Sequence, residues 1–140
     1  YLVEYGGMAG DPPSPTISAV TSLTPFVIDT PNQPVDQTVF AGSQAHFGVT
    51  VNNADSYQWQ VSTDGGSTFG NIINGSDYSG TQTANLTVLN ADKNKSSNLY
   101  RVVVSNTASN CAVNSNAVLL IVKVKTVITN KRITYRVKKN

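Results

Sequence analysis

Alternation of apolar and polar residues is strongest at Tyr57-Gln58-Trp59-Gln60-Val61, where Tyr57, Trp59 and Val61 take every second position. A β-strand sends successive side chains to opposite faces, so this period of two predicts a strand with one buried face, and the single tryptophan sits at its centre. Asp64-Gly65-Gly66-Ser67 follows. Glycine adopts positive φ at little cost, which predicts a hairpin turn with a return through Phe69 and Ile72. Ala45, Phe47, Val49 and Val51 alternate in the same way with Gln44, His46, Gly48 and Thr50. Further strands are predicted over residues 37–40, 86–89, 100–104 and 117–124, separated by polar, turn-rich segments at 52–55, 74–83, 92–98 and 106–116. The segment from Asp92 to Lys95 has room for one helical turn, but no stretch sustains a helical period. Short strands every ten residues or so predict an all-β fold, an antiparallel sandwich or barrel rather than alternating α/β units.

The flanks differ from this centre. All six prolines fall between Pro12 and Pro34. Proline donates no backbone hydrogen bond and stiffens extended chain, so residues 11–33 are predicted to be a semi-rigid linker. Its apolar residues, including Phe26, Val27 and Ile28, are expected to dock on a neighbouring domain or to form an edge strand. Residues 1–10 open with a short strand that has no local partner and is expected to close a preceding domain or to complete a sheet in another subunit. The chain, which starts with tyrosine, reads as a piece of a longer protein. In the tail, residues 125–140, Ile133, Tyr135 and Val137 alternate with Thr134, Arg136 and Lys138. This predicts a basic-faced strand, which a turn at Thr129-Asn130-Lys131 would fold back against residues 118–127 as a hairpin. The domain proper is expected to span 34–124.

Composition changes this picture little. The chain has 140 residues, enough for one domain with a core that stands without metal or several disulfides. Its charged fraction is only 13% and its net charge is +2. That charge is too small to imply nucleic acid as a partner, although seven of the ten basic residues lie between Lys123 and Lys139. No apolar run approaches the length of a membrane helix. Cys111 is the only cysteine and has no internal partner. It is expected either to pack near Phe40 or to stand as an exposed thiol able to cross-link chains.

The residue inventory argues against an enzyme. His46, the only histidine, alternates with Ala45 and Phe47 and reads as a surface strand residue with no serine or carboxylate in a defined relation to it. One cysteine and one histidine do not make a zinc site. Asp55, Asp64, Asp77 and Asp92 read as turn-holding residues rather than calcium ligands. No cofactor is expected. Tyr78, in the polar loop Asp77-Tyr78-Ser79-Gly80, and Tyr57 are the aromatics on which a sugar would stack, with turn packing the plainer reading.

The order Gly42, Val49, Trp59, Leu86, Asp92, Tyr100 resembles the immunoglobulin-like sandwich, in which a tryptophan on the third strand packs over an inter-sheet pair and a tyrosine corner opens the sixth strand. The resemblance implies a core of Phe47, Val49, Trp59, Leu86, Tyr100 and Val102, with Val49 and Val102 where disulfide cysteines would stand, so that apolar packing pins the sheets. The strings at 39–43, 57–66 and 99–105 are similar to immunoglobulin-like repeats of large secreted and surface proteins of the Bacteroidota. Many of those repeats pair a cysteine at the place of Phe40 with one near Cys111. Tyr1 to Met8 resembles the closing strand of a C-type lectin-like domain, and the tail resembles a chain end of type IX secretion cargo.

What the resemblance implies is a spacer or terminal module of an exported surface adhesin or filament, located outside the cell. Its partners would be neighbouring domains of the same protein, or further copies met through edge strands. The alternative is a targeting module, with Lys131, Arg132, Tyr135, Arg136, Lys138 and Lys139 read by secretion or surface-attachment machinery. A second alternative is carbohydrate binding by the sandwich itself.

Overall fold

The predicted alternation becomes nine strands and two single turns of 3-10 helix in the computed structural model, which describes residues 26–128 and Lys138. The strand expected in residues 1–10, linker residues 11–25, and Lys131, Arg132, Tyr135, Arg136 and Lys139 lie outside the described residues, whereas Lys138 is described and exposed. The strands are β1 (Gln37–Phe40), β2 (Ala45–Gly48), β3 (Ser56–Ser62), β4 (Gly70–Asn71), β5 (Tyr78–Ser79), β6 (Asn85–Val88), β7 (Leu99–Asn106), β8 (Cys111–Asn114) and β9 (Val118–Lys123).

They form two sheets. The larger runs in the order β1-β9-β7-β3-β4, with β8 also paired to β7, and the smaller is β2-β6-β5. Every pairing is antiparallel except β1 with β9, which is parallel. A parallel pair needs no hairpin between its members, and β1 and β9 lie at opposite ends of the domain sequence.

The apolar residues of the period-two stretches meet between the sheets. Phe47, Val49, Trp59, Leu86, Tyr100 and Val102 are all buried. Trp59 is fully enclosed, while Tyr57 and Val61, toward the two ends of its strand, are half-buried against the same core. Val49 and Val102, where the resemblance placed an inter-sheet pin, are both in this core, and aromatic rings span the gap beside them. Phe47 stacks on Tyr100 with ring centroids 5.0 Å apart and tilts toward Trp59 at 6.4 Å. Tyr100 is buried at the start of its strand, but its hydroxyl meets the Tyr78 hydroxyl at 3.4 Å. Burial, followed by that contact, holds the Tyr100 phenol far above its ordinary pKa, so it stays neutral.

Two segments read as loops contain strands. The stretch after Ile72 carries β5, which turns Tyr78 inward against Val88 of β6. The segment 106–116, expected to be a polar, turn-rich connection, carries β8. Its polar residues make a tight turn, with the Asn106 side chain accepting from the Ser109 N–H and hydroxyl, and Cys111 to Asn114 pair with the overhang of β7. Between β8 and β9 the register along β7 shifts by one residue. Ser115 fills this bulge: its N–H donates to the Val102 carbonyl at 2.9 Å and its hydroxyl accepts from the Val102 N–H at 2.9 Å. β9 has β1 on one edge and β7 on the other. The expected turn at Thr129-Asn130-Lys131 and the strand after it lie outside the described residues.

Candidate functional site

The strand directions give the domain two distinct ends. At the first, which receives the chain from the linker, the turn 52–55 lies beside the turn 107–110. Asp55 ties them: its carboxylate accepts from the Thr107 N–H at 2.6 Å and the Thr107 hydroxyl at 2.5 Å. Linker residues are strapped to this end. Thr50 N–H donates to the Asn32 carbonyl at 3.1 Å, and the Gln33 side chain donates to the Ile28 carbonyl at 2.7 Å while accepting from the Asn116 N–H at 2.8 Å. Farther along, away from this end, Asp36 precedes β1 and accepts from the Leu119 N–H at 2.7 Å. Phe26 and Ile28 consequently pack on this domain's own core. An open hollow of about 1080 Å³ remains here, lined among others by Phe26, Val27, Asp29, Asn53, Asp55 and Cys111.

At the opposite end the chain leaves through residues 124–128. The Ala41 N–H donates to the Lys123 carbonyl and the Gly42 N–H to the Ala91 carbonyl, so the turns 40–43 and 91–97 gather around the exit from β9. Phe40, 48% exposed, and Val124, 64% exposed, stand here with exposed Lys123 and Lys125. The Lys125 ammonium lies 5.6 Å from the centre of the Phe40 ring.

Lys95 is the one charged side chain that is buried among the described residues, and no local pattern announces it. It donates to Asp77 at 3.0 Å, to the Asn90 carbonyl at 3.0 Å and to Asp92 at 3.3 Å. Burial depresses its pKa, but the bonds to Asp77 and Asp92 outweigh burial and hold it above the ordinary value. Asp92 also caps the 3-10 turn at Lys93–Lys95, accepting from the Asn94 and Lys95 N–H groups. The cluster joins β5, the turn after β6 and the approach to β7, and its chemistry is that of a structural clamp.

The other candidates fall into place individually. His46 is exposed on β2 and its Nδ1 lies 3.1 Å from the Thr87 hydroxyl, with no carboxylate beside it. Among the described residues no three His, Cys, Asp or Glu side chains converge on a metal site, and no helix is long and apolar enough to cross a membrane. Tyr78 packs against Tyr100 with ring centroids 6.3 Å apart. Cys111 is exposed at the first end, whereas Phe40 stands at the second, so the packed alternative for this thiol does not hold. A thiol reagent is expected to label the native protein rapidly and stoichiometrically; labelling only upon addition of denaturant would contradict the exposure of Cys111.

Asp64 holds the β3–β4 hairpin, accepting from the Ser62 hydroxyl at 2.6 Å, the Thr68 hydroxyl at 2.6 Å and the Thr68 N–H at 2.9 Å. These bonds, that from Ser62 foremost, keep its carboxyl well below the usual aspartate range. Asp55 is held down by Thr107, and Asp92 by Lys95 against the opposing effect of burial. A depressed folded-state pKa stabilises the fold above the unfolded value of about 3.9 and loses that contribution as pH falls through the folded value. Urea midpoints are therefore expected to drop between pH 5 and pH 2, and Asp64→Asn to lower the midpoint at pH 7 while making the acid drop shallower. An unchanged acid profile in that variant would remove Asp64 from the account.

Comparison with known proteins places this geometry. Three titin Ig domains share 22% identity over 66% of this chain, with a TM-score of 0.50, and this chain spans 31% of that fragment. A titin complex with obscurin-like 1 Ig gives 16% identity, a TM-score of 0.51, and coverage of 69% of this chain and 93% of that one. The N-terminal four Ig domains of Dscam1 give 13% identity, a TM-score of 0.58, and coverage of 71% and 25%. At such identities the likeness is one of fold, and the fold is an immunoglobulin-like β-sandwich. No curated protein matches the sequence. A family model described as a domain of unknown function, DUF8696, matches residues 32–124. That match takes in every strand among the described residues, and the chain belongs to the DUF8696 family.

Proposed function

We propose that the domain is a load-bearing spacer and interaction module of an exported bacterial surface protein, an adhesin or filament, and that it works outside the cell between or after other domains. The observation that carries this reading is the placement of its two ends. The linker is held at one end, where the Asn32 carbonyl accepts from the Thr50 N–H, and the chain departs from the other through β9. A pull on the two termini would load the parallel β1–β9 pair lengthwise, so that its hydrogen bonds, which run across the strands, bear the load together rather than one at a time. The similarity to Bacteroidota surface repeats supports the exported setting, and the domain boundaries 11–33, 34–124 and 125–140 are part of the same reading.

Single-molecule pulling on the chain tests it. A sharp unfolding event is expected, with Val39→Pro lowering its force because proline cannot donate within the β1–β9 pair. A parent chain that yields at no higher force than this variant would overturn the load-bearing role.

The basic residues after Lys123 favour a second reading, in which the tail is an export address. A reporter carrying residues 34–140, compared with one ending at Val124 in a bacterium with a type IX system, separates the two. Surface delivery of the longer fusion alone would establish the address, and delivery of neither would remove it.

A further inference from the structure

Charge is segregated along this chain. All eight acidic residues, from Glu4 to Asp92, precede all ten basic residues, from Lys93 to Lys139. The fold carries part of that division into space. Asp29 and Asp55 line the hollow at the linker end, and among the described residues no lysine or arginine lines it. Exposed Lys93, Lys123 and Lys125 stand at the exit end, where the carboxylates Asp77 and Asp92 are already bound to Lys95. Apolar surface is matched to the same division. Phe26 and Val27, the latter 50% exposed, face the hollow, and Phe40 and Val124 project at the other end.

We infer that the domain associates head to tail with a second copy of its own chain, the exit end of one copy seated in the linker-end hollow of the next. Phe40 and Val124 supply the apolar contact against Phe26 and Val27, and Lys123 and Lys125 face Asp29. The two surfaces are different patches on each copy, so the contact is heterologous: it leaves a free end of each kind and adds copies in a line. Complementary charge sets the orientation and speeds encounter, and salt weakens it. Asp29 suits this role because its side chain makes no capping bond to the following turn, whereas the Asp55 carboxylate is occupied by Thr107. The inference builds on the end-to-end reading above.

Sedimentation velocity on the full chain tests it, at about 0.01 M and about 1 M salt, where the screening length falls from roughly 30 Å to 3 Å. Concentration-dependent association is expected at low salt and its loss at high salt. Asp29→Lys alone, and Lys123→Glu with Lys125→Glu, are each expected to abolish association while retaining the far-UV spectrum of the parent. Mixing the two variants restores complementary ends at every contact and is expected to restore association. A parent that stays monomeric at low salt, variants that still associate, or a mixture that stays monomeric would each overturn the head-to-tail contact. A monomeric parent would leave the pulling measurement unaffected, so the two readings fail separately.

Discussion

Trp59→Ala is expected to lower the unfolding free energy by roughly 3–5 kcal/mol, the range for removing a large aromatic from a packed core. Domains are stable by only about 5–15 kcal/mol, so this substitution alone removes a large share of the stability. Trp59 is placed for so large an effect because it serves three partners at once. Its ring packs toward Phe47 in the facing sheet, its indole N–H donates to the Thr83 carbonyl at 2.9 Å, and its backbone N–H donates to the Thr81 carbonyl at 2.8 Å. The segment 81–83 is thereby drawn against β3. Trp59→Phe separates the parts: it keeps most of the apolar volume but leaves the Thr83 carbonyl without its donor, a loss of about 1–3 kcal/mol where that carbonyl is sealed from water. Urea denaturation of both variants checks the pair. Equal losses would mean that the hydrogen bond, not the packing, dominates at this position.

The strands containing Trp59, Phe47 and Tyr100 were legible from alternation because each has one face on the core and one toward solvent, the condition that writes a period of two into a sequence. β8 and β5 were not. Cys111-Ala112-Val113-Asn114 and Tyr78-Ser79 are too short to display a period, and they are strands only because a longer neighbour, β7 or β6, offers an edge. The linker end was hidden for a different reason. Gln33 reads as a polar residue at the end of a proline-rich tether and Asp36 as one at the start of the domain, yet each meets a backbone N–H 83 positions away, at Asn116 and Leu119. Nothing in local composition announces a bond of that sequence separation. Lys95 was likewise unreadable as a buried group, since its burial depends on Asp77, 18 positions earlier, as much as on Asp92. The aspartates fared better, because Asp64 and Asp92 act on residues within a few positions of themselves. What the two ends can meet depends on how distant segments come together, and for that reason the fold was far more legible than the interaction surface.

Gly80 offers the sharpest test of that long-range packing. It follows β5 with φ of +73°, and a Cβ added there would lie 2.1 Å from the Asn85 carbonyl oxygen. Backbone at the start of β6 cannot yield without disturbing the β2–β6 ladder, in which Gly48 faces Asn85. Gly80→Ala is therefore expected to destabilise the domain by roughly 3 kcal/mol or more, combining the strain of a left-handed alanine with a backbone clash. Gly65 provides the control. Its φ is also +73°, but a Cβ there meets nothing within 4 Å, so Gly65→Ala is expected to lose only the conformational part, about 1–2 kcal/mol. Because the two glycines share a φ, the difference between the variants measures the clash alone. Equal destabilisation would mean that the chain at 80–85 relaxes freely, and that the crossing between the sheets beside Trp59 is not the rigid element that Thr81 and Thr83 make it here.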